Sequence, residues 1–205
     1  MEFKTVMGRN TEITVVQKSK FIADLSSVKD EPDAEKFIGE IRAKYPDASH
    51  HCFAYLFKKS GVAKASDDKE PHGTAGLPIL EALKNAEIFD VCVVVTRYFG
   101  GTLLGTGGLL RAYRESANAV IASAEIKTKK HAAFFEIKTG YSGFNSIEHI
   151  ILKHNAILTD KKFTDEVVVN GYIESEKFDV FSEELINNSG EKAEINKISE
   201  KYNFF

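Results

Sequence analysis

VCVVVTRYFGGTLLGTGGLLRAY, residues 91 to 113, decides how the rest of the chain is read. The run from Val91 to Thr96 is entirely apolar or β-branched, which predicts a strand covered on both faces. A glycine-rich turn follows, and Gly105, Gly107 and Gly108 stand where a helix must begin. That helix carries Leu109, Leu110, Tyr113, Ala117, Val120, Ile121 and Ala124 on one side and Arg111, Arg114, Glu115 and Asn118 on the other. A helix start offers free N–H groups and a positive dipole to an anion. With Arg97, Tyr98, Arg111 and Arg114 beside those amides, the stretch is a candidate anion or nucleic-acid face, and Lys18 and Lys20 add peripheral charge. The alternative is a tight strand-to-helix connection that needs glycine only for packing.

Two familiar phosphate motifs fail here. A P-loop needs lysine after its last glycine, and Thr106 follows Gly105. The dinucleotide fingerprint needs a third glycine where Leu110 stands.

The 205 residues exceed one typical domain and make two small ones. Residues 1–129 hold 18 basic and 17 acidic side chains, and residues 130–205 hold 9 and 13. Neither part is a basic arm, so nucleic-acid binding would depend on a local patch. Cys52 and Cys92 lie in apolar strand-like runs, as expected of a reducing compartment. No signal peptide and no membrane-length apolar run is present, and the chain reads as cytoplasmic. A monomer is the favoured state.

Upstream, Phe3 to Met7 and Thr11 to Val16 read as a hairpin turning at Gly8, Arg9 and Asn10, with Phe21 to Leu25 a third strand. Ser19, Lys20 and Phe21 read as a solvated strand edge. A helix begins near Pro32 and stops at Pro46. The strand HHCFAYLF, residues 50 to 57, puts His51, Phe53, Tyr55 and Phe57 on one face and His50, Cys52, Ala54 and Leu56 on the other. Lys58 to Gly73 reads as a polar loop, and a helix opens around Thr74 to Pro78. After a charged link from Glu125 to Lys130, the pattern is strand, helix, strand, strand, helix, strand, with the second helix ending near Gly190 and Ala193 to Ile198 as the last strand. This is the order of a ferredoxin-like domain.

The loop residues Asp67, Asp68, Glu70 and His72 form a possible acidic and histidine site, with Asp67, Asp68 or His72 as a general base in an enzyme reading. Structurally, the same acids would cap the helix near Thr74 or pair with Arg97 or Arg111. No metal is expected, because adjacent His50 and His51 on a strand point to opposite faces. Cys52 has apolar neighbours rather than the electropositive setting of a nucleophile. No cofactor is expected and no catalytic residue is assigned.

Four ordered blocks, KSKFIA at 18–23, HHCFAY at 50–55, SDDKEPHGTAGLPIL at 66–80 and TRYFGGTLLGTGGLLRAY at 96–113, resemble the IMPACT family, in particular its bacterial YigZ-like branch. The resemblance covers the first domain nearly end to end and reaches the second by pattern. It implies an α+β fold of two domains like domains IV and V of elongation factor G. The first, residues 1–129, would be a ribosomal-protein-type α/β sandwich and the second, residues 130–205, a ferredoxin-like βαββαβ domain. Eukaryotic relatives bind a ribosome-associated activator of a stress-responsive kinase. The resemblance therefore implies a non-catalytic, translation-regulatory protein that binds RNA or a ribosome-associated protein. The rival is an enzyme acting on a phosphorylated or acidic small molecule at the glycine-rich helix start, and the third reading is a protein-interaction scaffold without an anion site.

Overall fold

The run that begins at Val91 is the middle strand of a five-stranded antiparallel sheet. A computed structural model of the protein describes residues 2–189 and 193–205. Its elements are β1 (Glu2–Val6), β2 (Arg9–Val16), β3 (Ser19–Ser27), α1 (Glu31–Lys44), β4 (His50–Leu56), β5 (Ala63–Ser66), α2 (Gly76–Asn85), β6 (Val91–Tyr98) and α3 (Gly105–Ala122). They continue with β7 (Ile126–Thr139), α4 (Tyr141–Lys153), β8 (Ile157–Phe163), β9 (Val167–Glu174), α5 (Phe178–Ser189) and β10 (Ala193–Phe204). The architecture is α+β in two compact units, one of residues 3–128 and one of Glu2 with residues 129–205.

In the first unit the sheet runs β2-β3-β6-β4-β5. Because side chains alternate across a strand, β6 sends Val91, Val93 and Val95 to one face and Cys92 and Val94 to the other. The first set packs under α2 and α3 with Phe21, Leu25, Cys52, Ala54, Ile79, Leu83, Tyr113 and Val120. The second meets α1, where Phe37, Ile38 and Ile41 lie against Phe53, Tyr55 and Phe57. Helix α1 starts because Asp30 accepts the Asp33 N–H at 2.9 Å and Pro32 sits in the first turn. The two faces of β4 therefore serve two different cores, as their alternation predicts.

The hairpin lies one element later than the sequence suggests. Strand β2 pairs with β3 from Arg9 opposite Ser26 to Val16 opposite Ser19, and Glu2–Val6 is not part of that sheet. The turn is Gln17 and Lys18, both left-handed at φ 45° and 67°. Gly8, Arg9 and Asn10 resemble a turn locally, but Arg9 and Asn10 are ladder residues. Ser19 and Phe21 are fully buried, and of the expected solvated edge only Lys20 is exposed. The polar loop of residues 58–73 contains the short strand β5, paired to β4. The charged link after α3 is already strand, because β7 begins at Ile126.

In the second unit the order β10-β7-β9-β8, all antiparallel, is that of a ferredoxin-like βαββαβ sandwich. Ile147, Ile150 and Ile151 of α4 and Phe181 and Leu185 of α5 cover Phe135, Ile137, Val169 and Ile173 of the sheet. The last strand runs to Phe204, well past Ile198. The expected helix end at Gly190 lies outside the described residues.

Candidate functional site

Arg97 is a strand residue, not part of the turn. It sits on β6 opposite Phe21 of β3 and His50 of β4, and its parity with Val93 and Val95 aims all three residues toward α3. Its guanidinium is inside the fold at 5% exposure. Nη1 donates to Glu70 Oε1 at 2.7 Å, and Nη2 lies 3.4 Å from Ser19 Oγ. The rings of Phe21 and Phe99 lie 5.5 and 5.6 Å from its central carbon. Tyr113 of α3 donates its O–H to the same Glu70 oxygen at 2.8 Å. Burial pushes the Tyr113 phenol far above its ordinary range, so it remains a donor.

The SDDKEPHG loop delivers Glu70 to that position. Asp68 and Lys69 are left-handed at φ 40° and 72°, and the Glu70 N–H closes onto the Asp67 carbonyl at 2.9 Å. The Asp67 carboxylate accepts N–H groups of Gly73 at 2.8 Å, Ala75 at 3.0 Å and Gly76 at 2.8 Å. It thereby caps α2 from a distance, since Ala75 at the N-cap has no side chain able to do so. Burial pushes this carboxyl up, but the three backbone donors outweigh it and hold Asp67 below the ordinary carboxylate range. Asp68 Oδ2 accepts the His51 N–H at 2.7 Å, and its Oδ1 lies 3.5 Å from Arg42. The acids of the loop therefore work as caps and pairs, the structural alternative raised by their spacing. His72 is fully exposed, 3.8 Å from Asp67.

Around this network lies a cleft of about 550 Å³. Its apolar wall is Pro71, Phe99, Leu103, Leu104 and Leu109, its polar lining is Ser49, His50, Glu70 and Arg97, and Gly105 and Thr106 bring the start of α3 to it. Leu103 is 86% exposed and Phe99 50%. Gly100 lets the turn close: a Cβ there would come within 2.1 Å of the Lys18 backbone, and its N–H donates to Ser19 Oγ at 3.2 Å. Gly105 is left-handed at φ 68°. No side chain caps α3, and no acid lies in its first turn, where Gly107 and Gly108 stand.

The residues expected to attract anions separate into two groups. Arg97 is neutralised by Glu70, Arg114 pairs with Glu81 at 2.6 Å, and the Tyr98 O–H donates to Asp47 at 2.9 Å. Lys18, Lys20 and Arg111 are exposed with no acid partner among the described residues. His50, Ser19, Tyr113, Phe99 and Leu103 were not singled out from the sequence as site residues. Apolar Phe99 and Leu103 inside a glycine-rich turn were the available signal, because such residues have no local core to enter.

Cys52 donates its S–H to the Asp67 carbonyl, and burial pushes both thiols well above their usual value. Among the described residues no group of three or more His, Cys, Asp or Glu is placed to hold a metal ion. No described helix is long and apolar enough to cross a membrane.

Comparison with known proteins matches residues 17–121 to the Impact N-terminal domain and residues 137–192 to a domain of unknown function (DUF1949). The IMPACT family member YvyE of Bacillus subtilis is 35% identical over 93% of this chain and 88% of its own. The IMPACT family member YigZ of Escherichia coli is 30% identical over 85% of this chain and 87% of its own. A crystal structure described as that of a hypothetical protein superposes with a TM-score of 0.65 at 28% identity, covering 98% of both chains. Over nearly its full length, therefore, the chain belongs to the IMPACT family.

Proposed function

We infer that this is a non-catalytic cytoplasmic protein of the translation-regulatory type, and that it docks a protein of the translation machinery through the cleft beside α3. Family membership supports the translational setting. One observation carries the choice of partner: Leu103 and Phe99 stand out from the turn while Arg97, the arginine nearest them, is already paired inside. An apolar rim over a polar floor whose guanidinium already has its carboxylate suits a protein surface, where exposed apolar residues anchor and surrounding polar groups orient. The enzyme reading is weaker, because Asp67 and Asp68 are spent on backbone N–H groups and His72 lies fully in solvent. RNA is the second reading, and what favours it is the exposure of Lys18, Lys20 and Arg111 without acid partners among the described residues.

Affinity capture from lysate, with and without nuclease, tests this. Protein partners should remain after nuclease treatment and disappear with Leu103→Asp. Capture that nuclease abolishes and Leu103→Asp spares would replace the protein reading with RNA.

A further inference from the structure

Two side chains that line the cleft, His50 and Glu70, each keep an acceptor atom that no donor among the described residues serves. His50 Nδ1 lies 2.8 Å from the Asp68 carbonyl oxygen. A carbonyl can only accept, so the neutral imidazole carries its proton at Nδ1 and presents a bare lone pair at Nε2. That nitrogen is 3.7 Å from Glu70 Oε1. The Arg97 N–H and the Tyr113 O–H both converge on Oε1, which leaves Oε2 without a donor among the described residues. The Glu70 side chain is only 3% exposed and lines the cleft. Neither acceptor atom is sealed from solvent, so a donor entering the cleft can reach it, and a side chain that displaced the water without donating would leave it bare.

The kind of donor follows from charge. Arg97 at 2.7 Å already balances Glu70, so a second cation would meet the guanidinium's repulsion and a neutral donor would not. Apart from Ser49, Gly105 and Thr106, the remaining lining is apolar: Pro71, Phe99, Leu103, Leu104 and Leu109. We propose that the cleft receives an aromatic side chain bearing one neutral donor, a tyrosine or tryptophan of the protein partner. Its ring lies against Phe99, Leu103 and Leu109, and its O–H or N–H serves the acceptor pair of His50 Nε2 and Glu70. Tyrosine and tryptophan combine a large apolar body with a single polar tip, and they dominate the energetics of protein interfaces. Phenylalanine would cover the same wall and leave both acceptors bare. This assignment rests on the cleft being the docking surface.

The test uses the intact purified chain, isotope-labelled, in NMR titrations with N-acetyltyrosinamide, N-acetyltryptophanamide, N-acetylphenylalaninamide, N-acetyllysinamide and adenosine monophosphate. Shifts should cluster at His50, Phe99, Leu103 and Leu109, with the tyrosine and tryptophan probes binding about 5-fold to 10-fold tighter than phenylalanine, the value of one hydrogen bond. The chain has no tryptophan, so fluorescence of the tryptophan probe gives an independent affinity. His50→Leu, at a partly exposed position, should abolish the preference over phenylalanine, and Leu103→Ser should weaken all three. Equal affinity for tyrosine and phenylalanine, or preference for lysine, would overturn the proposal. Stronger binding of the nucleotide at the same residues would overturn it in favour of a nucleobase. Because no probe contains a translation component, failure here and failure of the lysate capture are separately visible.

Discussion

Removing either member of the Arg97–Glu70 pair strands a charge where both side chains are almost wholly enclosed. Glu70→Ala should therefore destabilise the protein by about 3–5 kcal/mol, read from urea midpoints, whereas the double substitution Arg97→Met with Glu70→Leu should recover most of that loss. A surface-like effect below about 1 kcal/mol would mean that the pair is hydrated. Asp67 gives a pH prediction. Its folded pKa lies below the unfolded value of about 3.9, so its contribution is fully present above that value and is lost as pH falls through the folded pKa. Asp67→Asn should flatten the acid limb of stability below about pH 4, and an unchanged limb would refute the capping role. At this scale the sequence was only partly legible. The residue types of the site could be read, but Glu70 lies 27 positions from Arg97, and which charges meet depends on how the loop folds back. Lys18, Lys20 and Arg111 look the same in sequence as Arg97 and Arg114, yet the first three have no acid partner among the described residues and the last two are paired.

Local chemistry at the level of elements explains both the successes and the misplacements. The period-2 pattern of HHCFAYLF specified two buried faces correctly because both faces enter cores. The hairpin was misplaced because Gln17 and Lys18 lack the Asn-Gly signature that a two-residue turn with positive φ normally shows. Replacing them together, Gln17→Asn with Lys18→Gly, should relieve left-handed strain and stabilise the fold by about 1 kcal/mol in thermal melts. No gain would show that neighbouring contacts offset the strain. Across the cleft, Gly100→Ala should cost about 3 kcal/mol, since the new methyl group meets backbone at Lys18 and Ser19 and no flexible side chain can yield. Strand β5 escaped notice for a different reason. AKAS is short, polar and half exposed, and only its partner β4 makes it a strand.

For the molecule as a whole, the order of elements carried most of the information. Strand, helix, strand, strand, helix, strand admits few antiparallel arrangements, and the one found is β10-β7-β9-β8. The start of β7 was hidden because charged Lys127, Lys129 and Lys130 look like a linker while the backbone is already extended. What the whole chain binds depends on which surface is unsatisfied, and that is a property of packing rather than composition. On the proposed reading the apolar rim of the cleft, not its outlying positive charge, holds the partner. Co-sedimentation with ribosomal fractions over a range of salt, comparing Leu103→Asp with Arg111→Ala, tests it most directly. Binding should tolerate salt, survive Arg111→Ala and be lost with Leu103→Asp. Binding that falls steeply with salt and with Arg111→Ala while Leu103→Asp leaves it intact would contradict it.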